Sequence, residues 1–197
     1  MNFKKWIAPG IIILSVIIVI MWAMRSYNSL VISQEKVEAQ WANVENVYQR
    51  RADLIPNLVA TVSGYADFER QTILEVIEAR SKATAVNINP ENLNAESLQQ
   101  FQAAQAQIGG ALSRLLVVVE RYPELKANQS FLDLQSQLEG TENRISTERG
   151  RFNDAAREYN TNIRRFPRNM FANMFGFERK PYFEADEGAE EVPRVEF

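Results

Sequence analysis

Neither cysteine nor histidine occurs anywhere in the 197 residues. Their absence excludes disulfides, thiolate nucleophiles, imidazole general bases and the usual zinc ligand sets. A concentrated basic stripe, which a nucleic-acid surface needs, is also missing, since 22 Lys and Arg stand against 25 Asp and Glu for a net charge of −3. No G-x-G-x-x-G or P-loop spacing cradles a phosphate, so no cofactor is expected. Strand-like alternation of useful length is absent as well; "LLVVVE" is too short to overrule its helical flanks. A thiol-free chain suits either side of a membrane and leaves the redox compartment open.

What is present begins with an apolar run. After a short flank (residues 1–5), Trp6 to Met24 is a 19-residue stretch without charge. As a helix it extends about 28 Å, close to the hydrocarbon thickness of a bilayer. Trp6 and Trp22 sit at its two ends, where indole rings favour the interface. The run is longer than the apolar core of a signal peptide and "WAMRSYNS" offers no small-x-small cleavage site, so an uncleaved anchor through the lipid bilayer is expected. Lys4, Lys5 and the terminal amine precede it, and Arg25 and then Lys36 follow it, a margin of one charge. That bias points to a cytoplasmic N-terminus and an extracytoplasmic body on a single-pass anchor.

Residues 25–166 carry three amphipathic runs with core-type positions in steps of three and four. The first reads Val37, Trp41, Val44, Tyr48, Arg51, Ile55, Leu58, Val62 and Tyr65, with a new phase on Phe68, Ile73, Val76, Ile77 and Ala83. The second runs from Leu98 through Phe101, Gln105, Ile108, Leu112 and Leu115 to Tyr122. The third runs from Phe131 through Thr141, Ile145, Glu148, Phe152 and Tyr159 to Phe166, with Asn128 or Ser130 as N-cap and Pro167 ending it. Gly109 and Gly110 inside the second run cost roughly 2 kcal/mol of helix propensity, which a close helix–helix approach would offset. The polar seam residues Arg51, Gln105 and Glu148 pair with one another or sit near bundle ends. The fold class is therefore all-α: a transmembrane helix followed by an antiparallel four-helix bundle.

Pro56 interrupts this scheme inside "RRADLIPNLVATVSGYA". Within one helix it removes the bond to the carbonyl of Ala52 and kinks the rod. Alternatively Asp53 caps a new helix with Pro56 in its first turn, or the chain reverses near Ser63, Gly64 and Asp67, where the hydrophobic phase slips. Arg50, Arg51 and Asp53 have no nucleophile or general base nearby in sequence, so they read as capping and ion-pairing groups. Glu35 with Glu38, and Glu75 with Glu78, share helix faces at i, i+3. Metal-binding bundles of the ferritin type use Glu-x-x-His pairs, so without histidine these carboxylates read as solvated.

Four blocks, "YNSLV", "RRADLIPNLVATVSGYADFE", "IEARSKA" and "YNTNIRRFPRNMFANMFGFERKPYFEA", in this order and spacing, resemble the LemA family of bacterial membrane proteins. The resemblance runs from the anchor to about Ala185. It implies a single-pass anchor in the inner membrane of a bacterium, an antiparallel helical bundle and no established activity. It also implies genomic company with a membrane metalloprotease, hence a possible protease partner in envelope quality control. This chain has Phe68-Glu69 where many members carry a histidine before the glutamate.

The structural or interaction candidates, mostly within these blocks, are Asn28, Arg50, Arg51, Asp53, Pro56, Asn57, Tyr65, Asn160, Phe166, Pro167, Asn169, Phe171, Phe175, Gly176, Phe177, Tyr182 and Phe183. The aromatic-rich segment 167–183 is expected to hold a short helix starting at Arg168 or Asn169 and ending at Gly176. It either caps the bundle or offers a sticky patch to a subunit, a partner or the membrane. The tail 184–197 is acidic and reads as disordered. No catalytic or metal-binding residue is identified. The expectation is a scaffold that forms homo-oligomers or docks a membrane protein, without nucleic acid.

Overall fold

Helix α1 spans Lys4–Ser63, 60 residues that carry the apolar run and the first bundle helix as one rod. At 1.5 Å per residue it extends about 90 Å. The computed structural model describes residues 4–65 and 69–184; the side chain of Trp6, residue Phe68 and the acidic stretch after Glu184 fall outside them. From Ile11 to Met21 the apolar side chains stand free of the rest of the chain, and this helix is long and apolar enough to cross a membrane.

The remaining helices are α2 (Arg70–Ala85), α3 (Ala95–Val119), α4 (Pro123–Lys126), α5 (Gln129–Arg164) and α6 (Arg168–Met174), with one 3₁₀ turn at Pro90–Asn92. Among the described residues there is no strand. Cross-helix bonds trace the chain direction. Arg121 just after α3 meets Glu69 just before α2 at 2.8 Å. Asn128 before α5 donates to the Tyr65 hydroxyl beyond α1. Asn162 near the end of α5 donates to Ser33 near the start of the α1 bundle region. The result is an up-down-up-down bundle of α1, α2, α3 and α5.

The seam expected on α1 is buried throughout, Val37 to Val62, Arg51 included. The half nearer the apolar run of α1 is aromatic, built on Trp41, Tyr48, Phe101, Phe152, Tyr159 and Phe183. The distal half is aliphatic and rich in alanine, with Ala79, Ala83, Ala104 and Ala111 letting α2 and α3 lie close. Local signals start each helix. Asn94 and Ser97 form a reciprocal capping box on α3, and Asn128 accepts from the Phe131 amide to cap α5.

Pro56 lies inside α1 with no reversal at Asp53; the chain turns back between Ser63 and Arg70, where the phase slips. The carbonyl that Pro56 cannot serve, that of Ala52, accepts a hydrogen bond from Arg80 Nε of α2 at 2.8 Å. Ala52 is buried, so an unserved carbonyl there would carry a full desolvation cost. Arg80 therefore lets the proline sit in a continuous helix.

Three expectations are corrected. Gly109 and Gly110 mark no close approach among the described residues: an added Cβ meets nothing within 4 Å at Gly109 and only Arg114 Nη1 at 3.9 Å at Gly110. On α2 the buried positions are Thr72, Val76, Ala79 and Ala83, with Ile77 exposed, because a seam of period 3.6 passes through 79 instead of 77. Phe166 leaves the α5 seam and is exposed, since α5 ends at Arg164 and Arg165 is already extended.

Replacing Arg80 with Met is expected to lower stability by roughly 1–3 kcal/mol. In a Pro56→Ala background, where residue 56 regains an N–H for Ala52, the loss should shrink to less than half. Thermal unfolding of the four proteins of this cycle by circular dichroism checks it; equal losses in both backgrounds would show that Arg80 serves another purpose.

Candidate functional site

Two constellations stand out from the solvated helix faces. The first is a polar layer around Arg51, whose side chain is only 5% exposed although it carries a permanent charge. Nη1 donates to both carboxylate oxygens of Glu142 on α5 at 2.7 and 3.1 Å. Nη2 donates to the side-chain and backbone oxygens of Gln105 on α3 at 2.6 and 3.1 Å. The guanidinium also lies 5.0 Å from the Tyr48 ring centroid. One side chain of α1 thus ties α3 and α5 together. Of its nitrogens only Nε has no partner.

Beside this layer a cleft of about 500 Å³ opens, lined by Tyr48, Gln105, Gly109, Gly110, Glu142 and Arg149. Its lining holds no cysteine, histidine or lysine; Ser146 is present, but the nearby carboxylate of Glu142 is committed to Arg51. Arg50 and Asp53 are exposed and do not line it; Asp53 accepts from Gln49 at 2.8 Å. Among the described residues no group of three or more His, Cys, Asp or Glu side chains is placed to hold a metal. Glu75 and Glu78 instead pair with Arg114 and Lys82, and Glu148 with Arg151. Glu142, not Glu148, is therefore the acidic member of the buried layer.

The second constellation is the C-terminal segment, which folds back as an extended strap along α5. The side-chain amide of Asn160 donates to the Lys180 carbonyl at 2.8 Å and accepts from the Lys180 amide at 3.0 Å. Asn153 does the same to Phe183, at 3.0 and 2.8 Å. The spacings match: seven helical residues rise about 10.5 Å, and three extended residues span about 10 Å. The two asparagines act as strand-like partners for a segment with no strand beside it. Phe183 is thereby seated in the core, stacked 6.1 Å from Trp41 and edge-on to Phe152 at 5.4 Å. Arg149 covers its other side and holds the Glu184 carbonyl. Tyr182 accepts a further bond from Asn160 through its hydroxyl, and the Lys180 ammonium reaches the Pro90 carbonyl at 3.3 Å.

Before the strap, α6 packs on α1 at the lower end of the bundle. Phe171 lies edge-on to Trp22 with centroids 5.2 Å apart. Phe175 and Phe177 flank Tyr27 at 5.0 and 5.8 Å. Gly176 has φ 74°, the left-handed turn that lets the Phe177 amide reach back to the Ala172 carbonyl at 2.9 Å and close the helix. Pro167 precedes α6, and Asn169 lies within it with its side-chain oxygen buried and unpartnered.

Among the candidates from the sequence, Arg51, Tyr65, Asn160, Phe171, Phe175, Gly176, Phe177, Tyr182 and Phe183 all hold tertiary structure in these two constellations or in the distal turn. Asn28, Pro56 and Asn57 lie exposed on α1. Asn57 serves its own helix, accepting from Thr61. Arg80, Asn153 and Glu142 were not singled out in the sequence. The i, i+7 repeat of Asn153 and Asn160 on the buried side of α5 was a readable signal for one of them.

A model of the LemA family matches residues 40–197. The chain belongs to the LemA family. Among its relatives, the magnetosome protein MamQ 2 of Paramagnetospirillum magneticum is 30% identical over 87% of this chain and 70% of its own length. MamQ of Magnetospirillum gryphiswaldense is 28% identical over 88% and 70%, and protein LemA of Metamycoplasma hominis is 23% identical over 81% and 69%. In this LemA-family chain the blocks that carry the resemblance meet in space: "RRADLIP" joins "IEARSKA" through Ala52 and Arg80, and "YNTN" clamps "KPYF" through Asn160.

Two outcomes follow for the strap. Replacing Asn153 or Asn160 with Ala is expected to cost on the order of 1–3 kcal/mol each and to speed amide hydrogen exchange at Lys180 and Phe183. Unchanged exchange at both would contradict the clamp. Burial, with the nearby carboxylates of Glu38 and Glu178, pushes the Tyr159 hydroxyl up to about 12. A folded value above the unfolded one of about 10 means that its stabilisation is complete below pH 10 and is lost as pH rises towards 12. Alkaline unfolding of Tyr159→Phe should show a correspondingly flatter loss over that window.

Proposed function

We infer that this protein is a tethered scaffold of the bacterial inner membrane that acts by association and not by catalysis. On this reading the N-terminus faces the cytoplasm and the bundle stands on the extracytoplasmic side, following the excess of basic residues ahead of the anchor. The observation that carries self-association is the glycine pair of α3. Gly109 and Gly110 weaken the helix, and nothing among the described residues approaches them closely enough to explain it. Gly110 and Ala106 line clefts on two sides of α3, and Gly109 lines one of them; a helix of a second copy could lie close there. The hydrophobic seams themselves are consumed within one chain and are not free to assemble. Three relatives are named as magnetosome proteins and not for a reaction, which suits this reading.

The native mass of the detergent-extracted protein, measured by mass photometry, is expected to correspond to several copies. Gly110→Leu should reduce it to one copy. A wild-type monomer would overturn self-assembly and move the weight to an adaptor of a membrane protease.

A further inference from the structure

Helix α6 is placed at the level where the anchor leaves its charge-free run. Phe171 touches Trp22, which lies inside that run, while Phe175 and Phe177 touch Tyr27, just beyond the first charge, Arg25. The inner side of α6 is closed by small residues, with Ala172 and Ser26 both buried. The outer side is apolar and bare: Phe166 is 81% exposed, Met170 63%, Met174 65% and Phe175 50%. Met170 and Met174, one turn apart, share a face of the helix. From Ile163 to Phe177 the chain holds Arg164, Arg165 and Arg168 and no acidic residue.

The geometry points to α6 as a second membrane contact, lying at the headgroup–acyl boundary with Phe166, Met170, Met174 and Phe175 in lipid and the three arginines against anionic headgroups. Large apolar side chains flanked by arginine are the composition of an interfacial helix. The position supplies what composition alone does not. A helix packed on Trp22 cannot avoid the interface if Trp22 is in it. Long arginine side chains can place their stems along the apolar surface and their charge in the headgroup layer. Water, by contrast, would face four large apolar side chains on a short segment. The contact also gives the base of the bundle two fixed points on the membrane, one through α1 and one through α6.

This inference rests on residues 6–24 spanning the bilayer, and its test separates the two. The chain has no cysteine, so a single introduced cysteine carries a unique spin label. Full-length protein with a label at Met170→Cys, Met174→Cys, Ile17→Cys or Asn43→Cys is reconstituted into vesicles of phosphatidylethanolamine and phosphatidylglycerol. Accessibility to oxygen and to a polar nickel complex is then read by electron paramagnetic resonance. The labels at Met170 and Met174 are expected to give an oxygen-to-nickel ratio several-fold above that at Asn43, on the bundle flank, and nearer to that at Ile17. Adding Arg164→Gln, Arg165→Gln and Arg168→Gln should move the ratio at Met170 towards the Asn43 value. Water-like ratios at Met170 and Met174 with a lipid-like Ile17 would overturn the interfacial helix and leave the anchor standing. A water-like Ile17 would overturn the anchor itself. Protection from both reagents, relieved by diluting the protein in lipid, would assign the face to a second copy and overturn the lipid contact.

Discussion

Because Pro56 has no N–H, the carbonyl of Ala52 must find its donor outside α1, and it finds one in Arg80 of α2. The neighbouring residue, Arg51, reaches the other way to Gln105 and Glu142. Two consecutive residues of α1 thus fix the three other long helices at one height, one through a carbonyl and one through a side chain. A buried charge is weak evidence of stability, since its desolvation can cancel its attraction. What this layer supplies is register. A helix slid by one turn would leave the guanidinium and the carbonyl without partners, and both are buried.

The long helices were legible because their apolar positions repeat over many turns. Val37 to Val62 could be read as one seam, and the seam was right even at Arg51. Where the chain turns was not legible, because Asp53 with Pro56 and Gly64 with Asp67 carry equal local signals for a boundary. The choice between them is made by Arg80, 24 residues beyond the proline, and no local rule reaches that far. Gly109 and Gly110 misled for the same reason: the helix propensity they give up is visible in the sequence, the neighbour that would explain it is not. The C-terminal segment was legible in composition alone. Its aromatics announced contact, but the amide clamps of Asn153 and Asn160 depend on two different rises, helical and extended, coming into step.

The strap and α6 do opposite things with similar residues. Phe183 enters the core from the end of an extended segment and completes the aromatic half of the bundle. Phe166, Met170 and Met174 stay outside. The division falls at Gly176, where the left-handed turn redirects the chain from the base of the bundle to its flank. The bundle region thus has a sealed interior and an apolar base.

The uninterrupted α1 has a rotational consequence. Each residue of a helix advances its azimuth by about 100°, and from Trp22 to Arg51 the rod completes about eight turns. The face that meets Phe171 and the face that carries the guanidinium are therefore in phase. Lengthening the helix between them by a single residue would swing the tryptophan a quarter-circle and more away from its partner while leaving the bundle intact. An apolar segment grafted onto this bundle must match an angle as well as a length.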